Sequence, residues 1–156
     1  MTAPMLPDTQ PLGAIRVAAQ SAHIDPWSWF KGHPPNASLT VSTQRKRNVA
    51  RTKCIHHCFE PSWMETLYIV VHPQDEFLDF SLFSHHAHRK STLIGCTKFP
   101  ISVITDSGEL TSVSFDLVKD EKSTAGLLAD LVFYPSVSGS GTTGISTKAQ
   151  SSLASY

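Results

Sequence analysis

Phe77-Leu78-Asp79-Phe80-Ser81-Leu82-Phe83 is the stretch on which the fold turns. Apolar and polar side chains take turns with a period of two, the spacing of a strand with unlike faces. The same signal recurs in short runs on both sides. Gly13 to Ala22 carries Ile15 and Val17, Ser38 to Ser42 carries Leu39 and Val41, and Val49 to Ile55 alternates with Arg51 and Lys53. Trp63 to Val71, Leu93 to Ile101, Leu110 to Val118 and Leu127 to Tyr134 complete eight candidate strands. Turn residues separate them, as in His33-Pro34-Pro35-Asn36, Glu60-Pro61, Pro73-Gln74-Asp75 and Asp106-Ser107-Gly108. No segment of ten or more residues carries a 3.6-residue stripe. Regular short strands with turns between them predict an all-β antiparallel sandwich or barrel. Asp25 to Lys31 resists this reading, with two tryptophans and a phenylalanine in what reads as a loop.

The chain has 156 residues, room for one domain and not for two. Hydrophobic residues make up 40%, slightly under the globular average, so part of the length is expected to stay outside a packed core. The expected division is a flexible leader over 1–11, a sandwich domain over 12–135 and a disordered Ser/Gly/Thr-rich tail over 136–156. Thirteen basic and thirteen acidic side chains cancel, so no global field draws the chain to nucleic acid or to an anionic surface. Any such binding has to come from a local patch. Cys54, Cys58 and Cys96 make an odd count without a secretory signal, which argues against a disulfide framework. The longest central apolar run, Tyr68 to Val71, is far short of the ~20 residues of a spanning helix. A soluble, reduced, intracellular protein is expected.

Three stretches carry a resemblance. Val49-Ala50-Arg51-Thr52-Lys53, followed by Phe59-Glu60-Pro61-Ser62-Trp63-Met64-Glu65, is similar to the basic strand and Asn-Pro-x-Trp-x-Glu turn of C2 domains. Phe77 to Phe83 with the later Leu93-Ile94-Gly95 is similar to the strand, loop and Ile-Gly of that family. Gly126 to Pro135 resembles the final strand of C2 domains of the tricalbin and extended-synaptotagmin type, and the first stretch is also similar to the C2 domain of plant-type phospholipase D. The resemblance implies an eight-stranded antiparallel sandwich over about Leu12 to Pro135. It also implies calcium-ligand positions on loops at one end, and there the chain departs from the family. Asn36, Ser84, His86 and Thr92 stand where carboxylates are required, and Asp25 alone could survive as a ligand. A hard divalent ion wants six to eight oxygens, several of them anionic, and Arg89 and Lys90 would repel it. The expectation is a C2-like domain that has lost calcium, with no cofactor and no metal.

The basic cluster Arg45, Lys46, Arg47, Arg51 and Lys53 is the sharpest functional candidate. The resemblance implies binding of phosphoinositide or phosphatidylserine head groups here, and cationic side chains near an anionic leaflet contribute about 1 kcal/mol each. A solvated edge hairpin and a protein-partner site are the competing readings. Trp27, Trp29 and Phe30 form a candidate membrane-insertion loop, since tryptophan favours the water–lipid boundary; the alternative is that Trp27 or Trp29 folds back to cap the core. His85, His86 and His88 suggest a pH-responsive loop. Cys54-His56-His57-Cys58 offers zinc ligand types at poor spacing. No catalytic constellation is present: the His-x-Lys signature of phospholipase D is missing, and no glycine-rich phosphate loop precedes a helix. The reading is a non-catalytic, cytoplasmic module. It would bind anionic phospholipid membrane peripherally and without calcium, as part of a tethering or trafficking system. A protein-interaction module of the same fold is the alternative, and no nucleic-acid partner is expected.

Overall fold

The computed structural model describes residues 10–29, 33–44 and 48–136. Eight strands run through it: β1 (Gly13–Ile24), β2 (Ala37–Thr43), β3 (Val49–Arg51), β4 (Ser62–Val71), β5 (Phe77–His86), β6 (Arg89–Pro100), β7 (Glu109–Lys119) and β8 (Lys122–Pro135). One short helix, α1 (Ile101–Ser107), joins β6 to β7. Every pairing is antiparallel, in the order β3-β2-β5-β6-β7-β8-β1-β4. The β6–β7 seam holds a single register pair, Cys96 with Val118. At that seam the sheet folds over into two four-stranded layers, β3-β2-β5-β6 against β7-β8-β1-β4. Side chains cross between the layers. Phe80 of β5 lies 4.6 Å, ring centre to ring centre, from Phe115 of β7, and Phe99 of β6 meets Phe115 edge-on at 5.3 Å.

The core follows the period-two stripes. Ile15, Val17 and Ala19 on β1, Leu78, Phe80 and Leu82 on β5, and Leu127, Ala129 and Leu131 on β8 are all buried, while their sequence neighbours face away. A fully buried side chain of this size contributes about 1.5–3 kcal/mol, and ring pairs such as Phe80–Phe115 add roughly 0.5–1.5 kcal/mol. Gly95 of β6 permits the close approach of the layers near the seam. A Cβ there would fall 2.4 Å from Thr124 Oγ1, whose hydroxyl bonds Ile94 O at 2.7 Å and Leu117 O at 3.3 Å.

Several boundaries differ from the sequence expectation. The loop expected between Phe83 and Leu93 is instead a hairpin end: β5 continues to His86, β6 resumes at Arg89, and only Ala87-His88 turn. Side-chain bonds such as His86 Nε2 with Thr92 Oγ1 at 2.9 Å extend the ladder through polar residues. The strand expected over Val49 to Ile55 stops at Arg51. Beyond it Thr52 Oγ1 accepts from Leu39 N at 2.9 Å, and Ile55 returns as an isolated bridge to Ala37. Helix α1 escapes sequence reading because seven residues hold no repeated stripe. Its Ile101 and Ile104, three apart, are buried, and Gly108 at φ 79° ends it by donating its N–H to Ile104 O. Residues 1–9 of the leader and 137–156 of the tail lie outside the described residues.

Candidate functional site

Arg51 and Lys53 are exposed at the open edge of the first layer. They do not share a regular strand, which corrects the expectation. Lys53 N donates to Glu65 Oε2 at 2.8 Å, so β4, and not β2, holds the backbone there. Thr52 between them is buried and bonds β2 through both its backbone N–H and its hydroxyl, which points its two neighbours to solvent. Register rows cross the outer face of the layer from this edge. Arg51 pairs with Thr40, Thr40 with Ser81, and Ser81 with Cys96; in the next row Ser42 pairs with Asp79 and Asp79 with Lys98. The centre of the face thus carries small hydroxyl side chains, of which Ser42 and the Thr40 hydroxyl are buried and Ser81 and Thr97 open to solvent along a groove. Lys98, in the second row, stands three strand spacings across and two residues along from Arg51, roughly 16 Å, with its ammonium 3.4 Å from Asp79 Oδ1. An open groove of about 450 Å³ runs along Asp79, Ser81, Cys96, Thr97 and Lys98. Lys98 and this hydroxyl row are absent from any sequence reading, because only strand register brings them beside Arg51. Arg45, Lys46 and Arg47 lie outside the described residues.

The two tryptophans of the aromatic loop part company. A single 3-10 turn, Pro26–Ser28, is capped by Asp25, whose Oδ1 accepts from Trp27 N at 3.0 Å. Trp27 projects from this turn at 83% exposure, while Trp29 is buried at 9% with its indole N–H donating to His33 O at 2.7 Å. Trp29 therefore caps the core, and Trp27 is the tryptophan available to an outside partner. It forms one wall of a groove of about 490 Å³ shared with Lys119, Asp120 and Lys122. Phe30 lies outside the described residues.

The positions matched to calcium ligands are engaged with one another. Asn36 N donates to Ser84 Oγ at 3.2 Å, Asn36 Nδ2 donates to His85 O at 3.1 Å, and Asn36 Oδ1 accepts from His57 N at 2.9 Å. His86 is bonded to Thr92, as above, and Asp25 is committed to its cap. Among the described residues no three His, Cys, Asp or Glu side chains converge as metal ligands would. His33 and His57 rings lie 6.0 Å apart, edge to face.

His85 sits at the edge of the cationic surface. Its Nε2 lies 2.5 Å from Ser38 Oγ and its Nδ1 2.8 Å from Ser91 Oγ. Burial, the Arg51 guanidinium and His86 together hold its pKa below the ordinary imidazole value. Burial also pushes the Cys54 thiol up, away from the thiolate that nucleophilic chemistry needs. Cys54 lies between β3 and β4 in irregular backbone, and not on a strand as its sequence suggests. No helix among the described residues is long and apolar enough to cross a membrane.

Comparisons with known proteins agree with this architecture. Tricalbin-1 of Saccharomyces cerevisiae is 22% identical over 90 residues, which is 58% of this chain and 8% of that protein. The chain therefore spans under a tenth of the length of this relative. A solved C2 domain-containing protein from a putative elicitor-responsive gene superposes with a TM-score of 0.68 at 18% identity, covering 84% of this chain and 95% of that one. The calcium-bound tandem C2 domains of Extended-Synaptotagmin 2 superpose with a TM-score of 0.66 at 18% identity, over 81% of this chain and 47% of that one. A C2 domain of plant Extended Synaptotagmin 1 gives 0.64 at 17% identity, over 83% and 99%. At these identities the superpositions show the fold alone. The C2 domain family model matches residues 15–117, and the chain belongs to the C2 domain family.

Proposed function

We propose that this C2 domain is a non-catalytic module that docks peripherally, without calcium, on anionic phospholipid membrane at the cytoplasmic side. The observation that carries the reading is the exposed pair Arg51 and Lys53 beside a hydroxyl-lined outer face with Lys98 across it. Guanidinium and ammonium groups bind phosphate oxygens, and the Ser81 and Thr97 hydroxyls along the open groove can bond the remaining ones. Phosphoinositide and phosphatidylserine head groups both fit that chemistry. Family membership supports a lipid partner in general. Trp27, exposed on its capped turn, would enter the interface beside the head groups. Arg45, Lys46 and Arg47 are proposed to add charge to the same edge.

The residues at the calcium-loop positions do not fit calcium. They supply one carboxylate, Asp25, already accepting from Trp27 N, and otherwise neutral groups bonded to each other. Six or more hard oxygens with several negative charges cannot be assembled from them. A role in a tethering or trafficking assembly is part of the same proposal. A second reading, a protein-interaction module, is favoured by the exposed Met64, Tyr68 and Val70 on the outer side of β4.

Sedimentation with vesicles separates the two. Binding to vesicles containing phosphatidylserine or phosphoinositide should fall steeply with salt and be unaffected by a calcium chelator, since charge pairing at an exposed face is screened. Equal binding to neutral and anionic vesicles would move the function to a protein partner.

A further inference from the structure

We infer that His85 is a proton-gated third cation of the surface formed by Arg51 and Lys53, so that the domain grips phosphate-bearing anions more tightly as pH falls. This rests on the head-group reading above and deepens it. His85 is singled out from its neighbours by position. Residues two apart on β5 share a face, and His85 lies on the side away from buried Ser84. Its ring reaches Ser38 of β2 and Ser91 of β6. Ser38 is two residues from Thr40 on the same face of β2, and Thr40 pairs with Arg51, which sets Arg51 of β3 on the face that His85 occupies. His86 is turned instead to Thr92, and His88 sits in the hairpin turn.

The partners of the ring make both protonation states structurally acceptable. In the neutral imidazole one nitrogen donates to a serine oxygen and the other accepts from a serine hydroxyl. In the imidazolium both nitrogens donate, and both hydroxyls rotate to accept. Charging His85 therefore breaks no hydrogen bond and leaves the outer face in place. The charged and titratable groups around it are mostly positive or neutral. Arg51 of β3 and His86 of its own strand act on its charge. Lys53 follows Arg51 along the edge, Arg89 pairs with His86, and Lys90 precedes Ser91 on β6. The carboxylate at this edge, Glu65 of β4, is occupied by Lys53 N. β2 contributes no titratable side chain.

The direction of the effect follows from the same neighbours. Burial and the two neighbouring cations hold its pKa below the usual imidazole value, so the neutral ring is favoured near neutral pH and protonation is moved to more acid pH. An anion bound between it and Arg51 favours the charged ring. By reciprocity, protonation strengthens anion binding by the same factor.

The test uses the full chain and vesicles of phosphatidylcholine with phosphatidylglycerol, whose phosphodiester keeps its charge across the range. Affinity is measured at pH 7.4 and pH 5.5 for wild type, His85→Gln and His88→Gln, with thermal unfolding of each as a check on folding. Wild type and His88→Gln should bind tighter at the lower pH, by up to about five-fold, the full share of one added cation. The ratio should shrink towards one in His85→Gln. An NMR titration of the His85 ring should also move to higher pH when short-chain phosphatidylglycerol is added. Wild-type binding that is anionic-selective but has the same pH ratio in His85→Gln overturns this inference and leaves the head-group reading standing. An unmoved His85 titration does the same. No binding to the anionic vesicles at either pH removes both.

Discussion

The two layers of the sandwich share one core and turn opposite chemistries outward. The outer side of β3-β2-β5-β6 carries Arg51 and Lys98 around Thr40, Ser42 and Ser81. The outer side of β4 in the second layer carries Met64, Tyr68 and Val70, with Met64 at 74% exposure. Inner faces are dictated by packing, so Leu82 and Leu131 serve the same purpose in either layer. Outer faces are free of that constraint, and there the residues are set by whatever the domain meets. Period-two strands let both requirements be met by one chain, because every second residue belongs to a different surface.

Breaking the shared core should abolish the distinction between the faces. Phe80→Ala removes a fully buried ring at the layer contact and should cost about 3–5 kcal/mol in urea unfolding. A loss below about 1 kcal/mol would mean that the layers are not locked there. The next largest effect separates charge from stability. Arg51→Gln with Lys53→Gln should weaken binding to anionic vesicles roughly thirty-fold at low salt, two contacts of about 1 kcal/mol each. The unfolding free energy should stay within about 0.5 kcal/mol of wild type, as expected for exposed side chains. Unchanged affinity in this variant would refute the electrostatic model.

Smaller effects sharpen the contrast. Trp27→Ala should lower vesicle affinity by roughly ten-fold or less, the loss of one inserted side chain. That fractional loss should persist in high salt, because apolar insertion is not screened. A deficit that vanishes with salt would assign Trp27 to a different role. The smallest expected change is in the second layer: Met64→Gln with Tyr68→Gln should leave vesicle binding as it was. A marked loss there would relocate the membrane contact to β4, and its outer face would become the one to explain.

The aromatic loop shows how far residues speak for themselves. Trp27 and Trp29 are two apart in a stretch with no period, and nothing local tells which goes inside. The Asp25 cap and the carbonyl of His33 decide it, because a buried indole needs a partner for its N–H and only Trp29 finds one. Arg51 and Lys53 were legible as exposed cations, since alternation with Ala50 and Thr52 leaves them on the outside. Their hydroxyl-lined neighbours were not, because Thr40, Ser81 and Lys98 reach them only through register between distant strands.

Local alternation and turn chemistry set the fold class, the eight strands and the core-facing side of those strands, so these could be read from the chain alone. The same residues carried the family resemblance that the C2 model match bears out. Closure of the layers was needed to settle the rest: that Phe83 to Leu93 closes as a hairpin, that seven residues after β6 coil into a helix, and that His85 and not its neighbours stands beside Arg51. The hairpin closes through pairs three to ten residues apart, whereas the helix packs against β8 and His85 is set by a bond to Ser38, 47 residues away. Hydrogen bonds from serine and threonine side chains, and the depth at which a ring is buried, exist only once the layers have closed.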